Sequence, residues 1–173
     1  MSAAFKNPFK KAINAGAKKG KDMLRIHETG GMAFFVAHIP ECQGDLGALE
    51  AATDAAVQAT GGGELAMCLA SNSNDTLVMS YVIPKSRAHH LGLDDWLAKT
   101  TAGFGGEIVK RTDTSLFYQA PSNTEDNLFP HKMQDTAMAR GFELLRSKKL
   151  MVDDDDGDEF DIGEMYANNG IEW

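Results

Sequence analysis

The sequence predicts an α/β (α+β) fold: a mixed sheet of about five strands with helices packed on it, in the order β-α-β-β-α-β-β-α. Three apolar runs of strand length, at residues 32–39, 64–70 and 76–83, are each set off by glycine, proline or a Ser/Asn/Asp cluster. Between the first two, residues 46–60 place Leu46, Leu49, Ala52, Ala56 and Val57 at helical spacing. Residues 130–150 repeat that periodicity over the longest such stretch of the chain. With 173 residues, 43% of them hydrophobic, the chain has enough apolar surface for one domain without a disulfide or metal staple.

The first strand is M-A-F-F-V-A-H-I, held between Gly30-Gly31 and Pro40. The helix after it stops at Gly61-Gly62-Gly63, and E-L-A-M-C-L-A forms the second strand. Ser71 to Asp75 is a turn cluster, so T-L-V-M-S-Y-V-I should return antiparallel to its predecessor. Pro84 closes this strand, and Asp94 is placed to cap a short helix carrying Trp96 and Leu97 that ends at Gly103. Trp96 is expected to be buried.

Glu107 to Lys110 and Ser115 to Gln119 are shorter and more polar, which puts this hairpin near a sheet edge. The last helix, Pro130 to Leu150, sets Met133, Ala137, Met138, Gly141, Leu144 and Leu145 on its packing face. Arg146, Lys148 and Lys149 complement its C-terminal dipole. The helices are expected to cover one side of the sheet.

Charge divides the chain into a basic arm (1–29), the body (30–150) and an acidic tail (151–173). Residues 1–25 hold seven bases and one acid, whereas residues 151–173 hold nine acids and no base, within a net charge of -8. In the arm, Phe5, Phe9 and Ile13 are spaced four apart beside Lys6, Lys10 and Lys11, the layout of a short amphipathic helix near Pro8. Three readings of such a segment stand side by side: a mitochondrial targeting sequence, a docking arm for an acidic partner such as an RNA or an acidic protein filament, and a plain solvated extension.

In the tail, Asp153, Asp155, Asp161 and Glu164 fall at positions one, three, nine and twelve of a would-be calcium loop. Gly157 and Asp158 occupy positions five and six in the reverse of the order an EF-hand needs, so the stretch reads as a solvated acidic linker. Beyond it, Phe160, Ile162, Met165, Tyr166, Ile171 and Trp173 read as a peptide that lies on another surface. The candidate partner-binding residues are therefore Phe5, Lys6, Phe9, Lys10, Lys11, Lys18 and Lys19 in the arm, and Phe160, Tyr166 and Trp173 in the tail.

No catalytic motif is present, and neither a metal nor a cofactor is expected. His27, His38, His89, His90 and His131 have no zinc-ligand spacing, and Cys42 and Cys68 stand alone in apolar surroundings. There is no G-x-S-x-G elbow and no Walker glycine loop. Free buried thiols suit a reducing intracellular compartment, cytoplasmic or cytoskeletal, with mitochondria as the alternative that the basic arm raises. No apolar run is long enough to span a bilayer, so no membrane role is expected.

Val82-Ile83-Pro84-Lys85, then Gly92-Leu93 with Trp96, then Gly103-Phe104-Gly105-Gly106 and finally Tyr118-Gln119-Ala120 form a familiar order of motifs. Over residues 30–148 the chain resembles the C-terminal, DHH-associated domain of alanyl-tRNA synthetases, as a stand-alone and degenerate relative. The resemblance implies a glycine-rich turn touching tRNA or another phosphate-bearing ligand, which would make Lys85, Gly103, Gly105, Gly106, Lys110 and Arg111 the nucleic-acid contacts. Glu107 stands where that family carries a base, and the path to Gln119-Ala120 is longer by several residues. The aminoacylation and editing machinery of the synthetase has no counterpart here. The expected role is a non-catalytic interaction subunit of a larger assembly, partnered by other protein subunits or an acidic cytoskeletal filament, with a tRNA- or RNA-binding accessory protein as the alternative.

Overall fold

The computed structural model describes residues 9–61 and 64–150. Its elements are α1 (Lys10–Gly30), β1 (Phe34–His38), α2 (Leu46–Ala59), β2 (Ala66–Asn72), β3 (Thr76–Val82), α3 (Leu93–Thr101), β4 (Glu107–Arg111), β5 (Ser115–Pro121) and α4 (Pro130–Ser147). The five strands form one mixed sheet in the order β1-β2-β3-β5-β4. Only β1 and β2 run parallel, joined across α2; every other neighbouring pair is antiparallel. Asp45 starts α2 by accepting the Ala48 N–H on its carboxylate at 2.8 Å.

Helices cover both faces of the sheet, not one as expected. Ser80 and Tyr81 are neighbours on β3, so their side chains point to opposite faces. Ser80 shares a 2.8 Å hydrogen bond with Thr53 of α2, while the Tyr81 hydroxyl bonds Thr100 of α3. The α3 side also holds α4, where Gly141 lies against Val36 of β1. This explains why β2 and β3 read as unbroken apolar runs: a strand covered on both faces loses the alternation that a half-exposed strand keeps. Trp96 of α3 is fully buried, as expected, with its ring 6.0 Å from Phe34 and 5.8 Å from Tyr81.

The segment read as a separate basic arm is, from Lys10 onward, the first helix of the fold. Ala12, Gly16, Gly20 and Met23 of α1 are buried. Gly16 and Gly20 meet the backbone of α2 at Ala52 and Ala56, so the two helices approach without intervening side chains. Glycine at these positions is a packing requirement: a β-carbon on Gly16 would lie 2.7 Å from the Ala52 carbonyl carbon and 2.8 Å from its Cα. Gly31 ends α1 with φ at 81°, its N–H returning to the His27 carbonyl, and turns the chain into β1.

The hairpin divides into one edge strand and one interior strand. β4 is the edge and is exposed along its length, whereas β5 lies between β3 and β4 and is mostly buried. Ser71 and Asn72, read as part of a turn, extend β2. Asp94 sits in the first turn of α3 behind Gly92, which holds the cap position.

Candidate interaction surface

The glycine turn between α3 and β4 is built for packing. Gly103 and Gly105 have φ of 87° and 76°, a left-handed backbone that favours glycine. Between them Phe104 is buried, with the Arg140 guanidinium 5.5 Å above its ring. Arg140 also donates to the Ala102 carbonyl at 2.8 Å, which ties the turn to α4. The Gly106 N–H, which a phosphate ligand would need, donates to the Tyr118 hydroxyl at 3.1 Å.

The remaining residues suggested by the synthetase resemblance do not gather around this turn. Lys110 pairs with Glu50 of α2 at 2.8 Å, and Arg111 pairs with Asp94 of α3 at 2.8 Å. Lys85 follows Ile83, whose N–H bonds the Thr114 carbonyl, and lines an apolar recess beside Thr114. Gly106 leads into Glu107, the partner of Gln119 at the other end of β5. Five strand residues, about 17 Å, separate those two ends. The six residues therefore form no single cradle, and two of the three bases already have carboxylate partners.

A different cationic surface is concentrated on α1. Lys10, Lys11, Lys18 and Lys21 are exposed and Lys19 is half-buried. Among the described residues none of the five forms an ion pair; Arg25 pairs with Asp22 at 2.9 Å. Beside Lys18 and Lys19 a cleft of about 360 Å³ opens between α1 and the end of β1, lined also by Ala15, Asp22, His38, Pro40 and Glu41. Partial burial, then the neighbouring Lys19 ammonium, lowers the His38 pKa, against weaker raising by Asp135 and Glu41.

Phe9 packs at the start of α2, its ring near Gly47, where it is half-buried against the core. Phe5, Lys6, Phe160, Tyr166 and Trp173 lie outside the described residues. Sequence spacing left His38 unassigned because it meets Lys19 only through the fold. Lys21 was visible as part of the basic run, and only the helix shows that it shares a surface with Lys18.

Among the described residues, no group of three or more His, Cys, Asp or Glu side chains is placed to hold a metal. Both cysteines are free and buried. Burial above all, then the Glu41 and Asp45 carboxylates, pushes the Cys42 thiol up to about 12. Burial pushes Cys68 up more strongly, so neither thiol is a ready nucleophile at neutral pH. No described helix is long and apolar enough to cross a membrane. The chain matches no family model and no curated protein.

Proposed function

We propose that this chain is a non-catalytic interaction subunit of a larger assembly, docking through the lysine face of α1 onto an acidic protein surface such as a cytoskeletal filament presents. The observation that carries this reading is the pairing of two features on one helix. A small-residue face packs α1 closely on α2, while four exposed lysines and the half-buried Lys19, all without ion pairs among the described residues, line its other side. A rigid cationic helix loses less entropy on docking than a free arm, because its side chains start from a fixed backbone. Buried free thiols fit a reducing, cytoplasmic or cytoskeletal setting. The likeness to the synthetase C-terminal domain supports descent from a binding module. The occupied Gly106 N–H and the paired Lys110 and Arg111 count against nucleic acid as the partner.

The test is co-purification of the full chain from cells, compared with a chain carrying Lys10→Gln, Lys11→Gln, Lys18→Gln and Lys21→Gln. The expected outcome is a set of protein partners with acidic surfaces, lost from the substituted chain while its melting temperature is kept. Partners that persist after the four substitutions would refute the reading. Loss of all partners on nuclease treatment would replace it with the RNA-binding alternative.

A further inference from the structure

The lysine face of α1 and the acids beyond Leu150 are complementary in charge. α1 holds six bases and two acids, whereas residues 151–173 hold nine acids and no base. Elsewhere in the body, Lys99, Lys110 and Arg111 are paired with carboxylates, leaving on α1 the largest group of cations without such partners among the described residues.

The path of α4 brings the acids within reach. Gln134 accepts from the Asn72 amide at 2.9 Å, at the C-terminal end of β2, and Gly141 packs on Val36 in the middle of β1. The helix therefore runs out at the N-terminal end of β1, the same end at which α1 terminates at Gly31. From Gly30 back to Lys18 is about 18 Å along the helix axis. The eleven residues from Leu150 to Asp161 span up to about 36 Å when extended, which leaves about 18 Å for rounding the β1 edge of the sheet before the segment runs along α1 to the cleft.

We propose that the chain's own segment Asp153–Asp161 docks on the lysine face of α1, placing a carboxylate in the cleft formed by Lys18, Lys19 and His38, and so competes with the acidic partner for that surface. This rests on α1 being the partner-binding face. Tethering supplies the segment at high effective concentration, so weak, salt-screened contacts suffice to hold it. Glu41 at the cleft and Asp135 facing His38 from α4 oppose any anion there, as does Asp22 of the cleft wall in so far as Arg25 does not neutralise it. The contact is thus weak enough for a larger acidic surface to displace it.

The experiment compares the full chain with a full chain carrying Asp153→Asn, Asp154→Asn, Asp155→Asn and Asp156→Asn. Zero-length carbodiimide cross-linking in dilute solution should join acids of residues 153–161 to Lys18, Lys19 or Lys21 within one molecule. A fluorescent polyglutamate peptide at low salt should bind the Asn-substituted chain about tenfold more tightly than the natural one, since the tethered competitor has lost four of its seven acids. Cross-links absent, confined to Lys148 and Lys149, or found only in dimers would overturn the proposal, as would equal peptide affinity of the two chains. Equal affinity that is lost on Lys18→Gln with Lys19→Gln would leave α1 as the partner face and remove only the tail. Cross-links to α1 with no peptide binding by either chain would keep the docking and remove the partner reading.

Discussion

Gly16 of α1 rests directly on the main chain of Ala52 in α2, and one turn later Gly20 repeats the contact on Ala56. The lysine face points outward because its helix is fixed at this seam, so the stability of the seam and the presentation of charge are one property. The stretch from Lys10 to Lys21 is therefore not a dispensable arm, since Ala12, Gly16 and Gly20 are part of the packing.

Replacing Gly16 with Ala should destabilise the protein by about 1–3 kcal/mol, although glycine-to-alanine changes inside helices ordinarily stabilise by about 1 kcal/mol. The sign reverses because the added methyl meets helix backbone, which cannot swing aside as a side chain can. Gly30→Ala is the control: it lies in the same helix with open space where its β-carbon would be, so it should be neutral or slightly stabilising. Urea denaturation of both variants checks this, and equal stabilisation by the two would mean that α1 does not pack closely on α2.

Trp96→Ala should cost about 3–5 kcal/mol, as deletion of a large buried aromatic does. Its indole Nε1 is buried and has no hydrogen-bond partner among the described residues. Trp96→Phe should therefore cost much less than Trp96→Ala, because it keeps an aromatic ring on Phe34 and Tyr81 while removing an unsatisfied N–H. Similar losses for the two variants would show that the nitrogen matters to the fold.

Much of this architecture was legible in the residues. The helix at 46–60 is observed at Leu46–Ala59 and the strand at 76–83 at Thr76–Val82, because long apolar runs and glycine or proline stops act locally. Two-sided coverage of the sheet was also signalled, by β2 and β3 lacking polar alternation, but that cue concerns what packs above and below a strand. The extent of α1 was hidden for another reason. Its buried face is made of Ala12, Gly16 and Gly20, residues that contribute almost nothing to hydrophobic periodicity, and the lysines around them read as a solvated arm. The spacing Gly16-Ala17-Lys18-Lys19-Gly20 was the available signal, matched by Ala52 and Ala56 one helix away. The cleft had no local signal, since His38 and Lys19 belong to different elements.

Alkaline pH should weaken the fold in a definite window. The folded state keeps the Cys42 proton up to about 12, whereas the thiol ordinarily releases it near 9.0. Between those values the unfolded chain binds fewer protons, so stability falls as pH rises, by at most about 1.4 kcal/mol per pH unit for each such thiol. Below the ordinary thiol range this contribution is full and level. Cys68 and Tyr81, both raised chiefly by burial, act in the same direction. Urea midpoints from pH 8 to 11 should decline more steeply for the natural chain than for Cys42→Ala, and parallel declines would refute the assignment.

The glycine turn offers a final contrast between packing and charge. Gly106→Ala would put a methyl 2.6 Å from the Tyr118 ring and hydroxyl, at the site where the Gly106 N–H bonds that hydroxyl. About 1–3 kcal/mol should be lost through overpacking. Lys110→Ala and Arg111→Ala remove surface ion pairs from an exposed edge strand, so each should change stability by less than about 1 kcal/mol. If the turn were a phosphate cradle, the two charge variants would instead lower affinity for tRNA and flatten its salt dependence. The expected result is that neither variant changes tRNA retention at low salt, while Gly106→Ala lowers the melting temperature. A salt-dependent affinity that falls with Lys110→Ala and Arg111→Ala would return the glycine turn to a role in nucleic-acid binding.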